Sequence, residues 1–295
     1  MNSYELIQQA GHSKILFKAM ASSCEILLRS NDPDFCHSVA KKAVSETYRV
    51  EQKYSRYLDN NLVQQMNHSN GCAVNIDQET YHLLEYARNL YELSDGMFDI
   101  TSGVLRKLWH FVPNAAPPNG KKIEALIKNI GFNKINYDQR KFSMPEKMEI
   151  DFGGIGKEYA VDQVRQIICN EKQCSFLINF GGDIAAECIN SDDPEWLVGI
   201  EQTNSPKTSI KLIKIRHGGV ATSGNSKRSF KFKGKQYGHL LNPKTGYPIE
   251  AGPLSITTFA TSCVLAGSFS SLAMLQGEAA EKFLQQQNIK FICNW

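Results

Sequence analysis

The spacing of hydrophobic and polar positions switches between strand-like and helix-like stretches along the chain. Residues 14–30 alternate on both sides of a tight segment that starts at Met20, and this pattern predicts two short strands joined by a turn. Residues 34–54 instead place apolar side chains such as Val39 and Val44 at helical spacing, so a helix is expected there. The chain is therefore predicted to begin with a strand pair followed by a long helix.

The remaining chain is predicted to contain both helices and strands. A second helix is expected after Asp77, an N-cap residue type, and is expected to end at Gly96. Further elements are expected at 121–130 (helix), 158–169 (helix), 175–180, 195–201 and 209–216 (strands), 254–260 (strand), 265–287 (helix, weakened at Gly277) and 290–294 (strand). Together they predict an α+β fold with mixed sheets and flanking helices.

The length and composition are those of a globular protein. The chain has 295 residues, of which 42% are hydrophobic and 21% are charged. This length fits one large domain or two closely packed lobes, and no segment marks a boundary, so a single domain spanning 1–295 is predicted. The proline-rich residues 113–119 predict a loop that forms a surface lid or a junction between lobes.

Charge and cysteine usage exclude several classes of protein. A net charge of +3 is too small to indicate nucleic-acid binding. The eight cysteines form no Cys-x-x-Cys pair, so reduced thiols are favoured over a disulfide framework or a zinc site. Serine, threonine and glycine interrupt the uncharged residues 251–277, which favours a buried strand and helix over a membrane span. With no secretory signal in the sequence as given, a soluble, cytoplasmic protein is expected.

Four glycine-bearing clusters each carry a charged, hydroxyl or imidazole side chain nearby. Each cluster alone is typical of a turn. Taken together, they predict a site in which backbone amides surround a phosphorylated ligand, because glycine allows close approach and neighbouring N–H groups bind anions. The clusters are Asp151-Phe-Gly-Gly-Ile-Gly-Lys157, Asn179-Phe-Gly-Gly-Asp183, Ala221-Thr-Ser-Gly224 (followed by Lys227 and Arg228) and His239-Leu-Leu-Asn-Pro-Lys-Thr-Gly-Tyr-Pro248.

The first cluster lies between a short strand and the predicted helix at 158–169. Amides at that helix start would face a phosphate, and Lys157 would add a full positive charge. The spacing is neither that of a P-loop nor that of a dinucleotide-binding fingerprint, so a plain turn and a ligand loop both remain open. A single histidine such as His239 is more often structural than catalytic, and this alternative also stays open.

The ordered set of motifs resembles the ApbE-type flavin transferases, which are FAD:protein FMN transferases. The match includes the four glycine clusters and runs through nearly the whole chain. The other matching segments are Met20-Ala-Ser22, Tyr54-Ser-Arg-Tyr57 and Ser94-Asp-Gly-Met-Phe-Asp-Ile-Thr101, the last of which follows the family's Ser-x-Gly-x-Phe-Asp-x-Thr motif. The resemblance implies an ApbE-like fold with two closely packed lobes and the site between them.

The resemblance also implies a reaction. Such enzymes cleave the FAD pyrophosphate, attach FMN through a phosphoester bond to a threonine or serine of a target flavoprotein, and release AMP. Mg²⁺ neutralises much of the phosphate charge in the family. The implied partners are therefore FAD and an acceptor flavoprotein, without nucleic acid or membrane insertion.

The family's functional positions can be placed on this sequence one by one. His239 would move a proton to or from the acceptor hydroxyl. Asp99 has a structural alternative, since it could cap a local turn, and Tyr57 and Phe98 could belong to the core. The implied FAD-binding residues are Met20, Tyr57, Met97, Phe98, Asp99, Asp151, Lys157, Thr222, Leu240 and Leu241.

The family's metal motif is altered in this chain. An Ala-Asp-Ala-x-x-Thr motif supplies two Mg²⁺ ligands in the family, whereas the matching positions here are Gly267 and Ser271, with a third, backbone ligand near Gly154. Glu158 stands where the family has glycine after Lys157, and it could repel the phosphates or supply the metal with a carboxylate. An active transferase, a binding protein that holds FAD and a FAD pyrophosphatase all remain open. If the missing Asp is the defect, Gly267→Asp is expected to raise Mg²⁺-dependent turnover.

Overall fold

The computed structural model describes residues 3–171, 174–202, 209–225 and 229–295. Lys227 and Arg228, which follow the third glycine cluster, lie outside these ranges. The described strands are β1 (Glu5–Gln9), β2 (His12–Ala19), β3 (Ser22–Leu28), β4 (Val74–Asn75), β5 (Asn136–Tyr137), β6 (Lys141–Ser143), β7 (Phe176–Phe180), β8 (Asp183–Glu187), β9 (Trp196–Gln202), β10 (Ser209–Ile215), β11 (His217–Gly224), β12 (Ser229–Phe232), β13 (Lys235–Gly238), β14 (Ser255–Ala260) and β15 (Lys290–Asn294).

Eight of these strands form one large sheet in the order β1-β2-β3-β7-β8-β11-β14-β15. Smaller sheets are formed by β9 with β10, by β12 with β13, and by β4, β6 and β5. The predicted α+β class is confirmed. The expected mixture of parallel and antiparallel strands is not found, since every described strand pair is antiparallel. Hairpin connections such as those after β2 and β7 reverse the chain within a few residues, which antiparallel pairing allows.

Seven α-helices lie within the described residues, and polar caps begin several of them. Asp32, Asn61, Asp77 and Ser262 each accept a hydrogen bond from a backbone N–H of the first turn. The helices are α1 (Pro33–Tyr54), α2 (Leu62–Asn67), α3 (Gln78–Leu93), α4 (Gly120–Ile127), α5 (Gly156–Glu171), α6 (Cys263–Leu275) and α7 (Ala280–Gln286), with 3-10 turns at Ile100–Lys107, Phe132–Lys134 and Gly277–Ala279.

The two faces of the large sheet are covered differently. Helices α1, α5 and α6 pack on one face, where Ile178 and Ala185 belong to the main core. Neighbouring residues such as Leu177 and Ala186 point to the other face, since successive side chains alternate along a strand. The β9–β10 ribbon covers that second face and buries Val198 against it.

A separate cluster centred on Trp109 joins the 3-10 turn at 100–107 to the β12–β13 hairpin. The indole packs against Phe230 and Tyr237, and its N–H donates to the Gly246 carbonyl at 2.8 Å. This bond ties the segment after β13 to the part of the chain that carries the Ser94–Thr101 motif. The cluster therefore fixes two of the predicted motifs relative to each other.

Most of the predicted elements are confirmed, with boundaries within a few residues. The turn at Met20 exists, and Met20 itself has a φ of 52°. The helix predicted at 265–287 is broken, because Gly277 has a φ of 58° and ends the regular hydrogen bonding between α6 and α7. Strands β1, β8, β11, β12 and β13 and the small sheet of β4, β5 and β6 were not predicted, because several are short or rich in glycine and alanine.

Two exclusions drawn from the sequence can be compared with the fold. In the part of the chain that the structure describes, no helix is both long and apolar enough to cross a membrane. None of the eight cysteines forms a disulfide bond, and five of them are buried. The single-domain assignment and the role of residues 113–119 as a lid or junction stay predictions.

Candidate functional site

One cavity of about 900 Å³ lies where the four glycine clusters meet. Its walls come from the loop before α5, the β7–β8 turn, β9, the end of β11 and the segment after β13. The predicted residues that line it are Met97, Phe98, Asp99, Asp151, Gly154, Lys157, Thr222, His239, Leu240, Leu241 and Ser271. Tertiary structure thus brings together segments that lie far apart in the sequence.

Three predicted site residues do not line this cavity: Met20, Tyr57 and Gly267. Met20 is half-buried in the β2–β3 turn, where its backbone N–H donates to Glu51 Oε1 at 2.7 Å. The Tyr57 side chain is 72% exposed, and its hydroxyl accepts a hydrogen bond from Arg106 at 2.7 Å. Since Arg106 lines the cavity, Tyr57 adjoins the site through Arg106, and its packing on a flavin or adenine ring stays a prediction.

Four of the glycine-cluster amides that were expected to bind an anion donate within the protein. The N–H groups of Gly153 and Gly156 donate within the loop, to Asp151 Oδ1 and to the Phe152 carbonyl, both at 2.8 Å. Gly181 N–H donates to the Ser23 carbonyl and Gly182 N–H to Asn179 Oδ1. These amides stabilise turns, and Gly181 and Gly182 supply the positive φ angles that the β7–β8 turn requires. These four amides are therefore not available to an anion.

Lys157 is a positively charged side chain that lines the cavity. Its ammonium group lies 2.9 Å from Asp183 Oδ2, at the turn into β8. Burial lowers the pKa of Lys157, but the Asp183 carboxylate outweighs burial, so the net shift is upward and the side chain stays protonated. Lys157 and Asp183 thus form a nearly neutral pair inside the cavity.

Asp99 is buried, with 7% of its surface exposed, and its carboxylate already has protein partners. Oδ1 accepts hydrogen bonds from the backbone N–H and the hydroxyl of Thr101, and Oδ2 accepts from the Phe132 N–H at 3.1 Å. Burial raises the pKa of Asp99, although these hydrogen bonds oppose the rise. The residue caps the 3-10 turn at 100–107, which is the structural alternative noted from the sequence. Its contact with FAD stays a prediction.

Asp151 is held between two arginines at the outer wall. Its Oδ2 lies 3.3 Å from Arg56 Nη1 and 3.8 Å from Arg106 Nε. Arg56 also donates to the Gly103 carbonyl at 2.8 Å, so it links the loop before α5 to the 3-10 turn. Arg106 is the more exposed of the two arginines and adds a second positive charge to the cavity wall.

His239 and Thr222 also line the cavity. The His239 ring is half-buried and meets the Phe111 ring edge to face, with centroids 6.4 Å apart. The Thr222 hydroxyl shares a 2.7 Å hydrogen bond with Thr257 on the neighbouring strand β14. Lys244, which was grouped with His239, turns away from the cavity and pairs with Asp95 at 2.7 Å.

The two altered family positions, Glu158 and Gly267, are in contact. A Cβ atom placed on Gly267 would lie 2.5 Å from Glu158 Cγ and 2.7 Å from its Oε1. Glu158 projects from the first turn of α5, lines the cavity and is 9% exposed. Burial raises the pKa of Glu158 above its usual range, and the nearby Asp183 carboxylate adds to the rise.

Acidic and metal-binding side chains do not form a ready-made cluster. Among the described residues, no group of three or more histidine, cysteine, aspartate or glutamate side chains is placed to hold a metal ion. The Ser271 hydroxyl lies 3.1 Å from that of Ser223, which also bonds Ser270. The metal-binding roles of Gly154, Gly267 and Ser271 therefore stay predictions.

Several cavity residues were not identified from the sequence. Arg106 lines the wall, as do Trp196 and Leu197 of β9. Arg106 follows the Ser94–Thr101 motif by five residues, so a positive charge near that motif was an available signal. The strand β9 was predicted, but its place at the cavity was not, because that place depends on how the β9–β10 ribbon packs against the large sheet.

Solved structures share this fold. The ApbE protein from Thermotoga maritima superposes with a TM-score of 0.85 at 27% identity, covering 99% of this chain and 94% of that one. The apo flavinyl transferase ApbE from Pseudomonas stutzeri also gives a TM-score of 0.85, at 24% identity, with 99% and 91% of the two chains covered. The ApbE-like fold predicted from the motifs is confirmed.

Sequence relatives cover most of the chain as well. A FAD:protein FMN transferase from Haemophilus influenzae is 28% identical over 247 residues, which are 80% of this chain and 69% of that protein. The enzyme of the same name from Vibrio cholerae is 27% identical over 238 residues, with 79% and 69% covered. The family model described as the ApbE family matches residues 20–293. Because this match spans nearly the whole chain, the protein belongs to the ApbE family.

Proposed function

We propose that this protein is a FAD:protein FMN transferase. It cleaves the pyrophosphate of FAD, attaches FMN through a phosphoester bond to a threonine or serine of a target flavoprotein, and releases AMP. The observation that carries the proposal is the single cavity that gathers all four predicted glycine clusters in a chain of the ApbE family. Its volume of about 900 Å³ is near the upper end of the range for small-molecule and cofactor sites.

The side chains of the cavity divide into an apolar and a charged part. Met97, Phe98, Leu240 and Leu241 offer apolar surface for the flavin or adenine ring. Lys157, which is paired with Asp183, and Arg106 offer positive charge for the phosphates. Binding of FAD would then rely on apolar packing at the rings and on charge at the pyrophosphate.

The transfer step needs a proton acceptor near the incoming hydroxyl. The acceptor oxygen forms a bond to the FMN-side phosphorus, the bond from that phosphorus to the bridging oxygen breaks, and the bridging oxygen leaves with AMP. The hydroxyl proton passes to His239, which lines the cavity and carries a ring nitrogen suited to that role. Positioning and charge neutralisation supply most of the rate enhancement in phosphoryl transfer.

The residues present are compatible with a Mg²⁺ site. Ser271 and the loop at Gly154 line the cavity and offer a hydroxyl and backbone oxygens, and Glu158 offers a carboxylate oxygen without a protein partner. Mg²⁺ is commonly held by one or two carboxylates together with substrate phosphates. When bound, the ion would neutralise charge on the pyrophosphate.

The proposal is tested by mixing the purified protein with FAD, Mg²⁺ and a flavoprotein domain that bears the acceptor threonine. We expect flavin fluorescence on the denatured acceptor band and one AMP released for each flavin attached. An acceptor with valine in place of that threonine and the variant His239→Gln are the matched controls, and both should lose the covalent product.

Each other outcome contradicts the proposal in a distinct way. FMN and AMP formed without labelled acceptor would indicate a FAD pyrophosphatase. FAD that binds but stays intact, while a known transferase labels the same acceptor, would indicate a binding protein. The assay does not test the identity of the natural acceptor or the predicted cytoplasmic location.

A further inference from the structure

The two altered positions of the metal motif compensate for each other in space. Relative to the family pattern, α6 has lost a carboxylate at Gly267 and α5 has gained one at Glu158. The Glu158 side chain fills the volume in which a residue-267 side chain would begin, since a Cβ there would meet Glu158 Cγ and Oε1 at 2.5 and 2.7 Å. One carboxylate thus occupies this volume, and it is attached to the opposite helix.

The Glu158 carboxylate retains unused bonding capacity. Its Oε2 is buried and has no hydrogen-bond partner among the described residues, although the side chain lines the cavity. A buried carboxylate oxygen without a partner is costly, because water no longer solvates it. A ligand in the cavity would remove this cost if the Glu158 side chain rotates and presents Oε2 to it.

The charges around Glu158 favour a positively charged ligand. Lys157 lies next to it in sequence, but its ammonium group is paired with Asp183 at 2.9 Å. Lys157 and Asp183 offset each other, so ionisation of Glu158 adds one negative charge, which a cation in the cavity would stabilise. The electrostatic potential beside an ionised Glu158 therefore favours a divalent cation over an anion.

We propose that Glu158 is the carboxylate ligand of a divalent cation, transferred from α6 to α5, with Ser271 as the hydroxyl donor beside it. This inference rests on the proposed function, because substrate phosphate oxygens would complete the coordination sphere. It also changes the meaning of Gly267, which gives the Glu158 side chain room. On this inference, Gly267→Asp alone is not expected to restore a metal site, because both carboxylates would need the same volume.

The test measures cation binding directly, with Mn²⁺ as the probe because it shares the oxygen-ligand preference of Mg²⁺. Free Mn²⁺ is followed by its EPR signal, with and without saturating FAD, and protein-free FAD is subtracted. The variants are Glu158→Gln, Gly267→Asp and the double variant Glu158→Gly with Gly267→Asp. FAD affinity is measured separately by flavin fluorescence, and folding by circular dichroism.

Glu158→Gln keeps the shape and removes the charge, so we expect Mn²⁺ affinity to fall at least about tenfold while the protein stays folded. The double variant places a carboxylate on α6 and removes the obstruction, so its affinity should return to within a few-fold of the original protein. Gly267→Asp alone should not strengthen binding. The double variant also decides the matter if Glu158→Gln does not fold.

Two results would overturn the proposal. Equal Mn²⁺ affinity in the original protein and in Glu158→Gln would make Glu158 a space-filling acid. Absence of Mn²⁺ binding in the original protein, with FAD bound normally, would exclude a cation at this wall. The proposed transferase activity would fail independently, through intact FAD or an unlabelled acceptor, so the two failures are distinguishable.

Discussion

Asp99 and Glu158 lie on the walls of the same cavity and are almost equally buried, with 7% and 9% of their surfaces exposed. They differ in their hydrogen bonds. Both oxygens of Asp99 accept bonds from Thr101 or Phe132, whereas Glu158 Oε2 has no partner among the described residues. Burial raises the pKa of each group, so neither burial nor the direction of the pKa shift separates them.

The number of hydrogen bonds that each carboxylate accepts therefore separates structural acids from ligand-binding acids in this site. A carboxylate whose oxygens are all used by backbone and side-chain donors stabilises the fold around it. A carboxylate that lines a cavity and keeps one buried oxygen without a partner is a candidate for ligand binding. By this criterion Asp99 shapes the wall and Glu158 acts on what binds there.

The largest expected effect is the loss of stability in Asp99→Ala. The change removes the cap of the 3-10 turn at 100–107 and leaves the buried Phe132 N–H without its acceptor. We expect the free energy of unfolding to fall by about 2–4 kcal/mol, measured by urea denaturation. Asp99→Asn, which keeps one oxygen acceptor, should lose less. A loss below about 1 kcal/mol in Asp99→Ala would contradict the structural role.

The second prediction concerns the charge at the pyrophosphate. Lys157→Ala should weaken FAD binding by about tenfold, since one charge-assisted contact is lost, and should leave riboflavin binding nearly unchanged. Flavin fluorescence titrations with both ligands make the measurement. Riboflavin is informative because it lacks phosphate.

A matched control for Lys157 exists on the His239 segment. Lys244→Ala removes the same charge, but Lys244 pairs with Asp95 and does not line the cavity. It should change neither affinity by more than about twofold. Equal weakening of FAD and riboflavin binding in Lys157→Ala would point to a folding role for Lys157 instead.

The smallest expected effect is the change in unfolding free energy caused by Gly267→Ala, whose sign should depend on the Glu158 side chain. Gly267→Ala adds helix propensity worth about 1 kcal/mol within α6. Overlap with Glu158 costs about 1–3 kcal/mol, so the single variant should be less stable than the original protein. In a Glu158→Ala background the overlap disappears, and the same substitution should stabilise by about 1 kcal/mol. Urea denaturation of the four proteins in this cycle gives the coupling energy.

Gly156→Ala serves as the reference for that cycle. A Cβ at Gly156, the first residue of α5, would have no atom within 4 Å. Its effect should therefore be the same with and without the Glu158 side chain. If Gly267→Ala behaves in the same way, Glu158 does not occupy the volume beside Gly267 in solution.

Much of the fold was predictable because its signals are local. Asp77 caps α3 as expected, and the chain reverses at Met20 between β2 and β3. The four glycine clusters were recognisable from residue types and spacing, and the cavity contains residues of all four. Where the signal was weak, as for strand β8 with its alanines, the element was missed, since its burial depends on neighbouring strands.

The chemistry of the site was less predictable. The glycine amides were expected to bind phosphate, yet those of Gly153, Gly156, Gly181 and Gly182 already donate to protein acceptors. A sequence shows that an amide exists, but the loop's own hydrogen bonds decide whether it is available to a ligand.

The sequence alone was sufficient to predict the α+β class, the approximate helices and strands, the ApbE family and most of the candidate site residues. Caps, periodicities and motifs act over a few residues, so they can be identified without the fold. The tertiary structure was needed to show that both Asp99 oxygens already accept hydrogen bonds and that Glu158 occupies the volume beside Gly267. These facts depend on how α5 packs against α6 and how the 3-10 turn meets Phe132, and such contacts join residues that are distant in the chain.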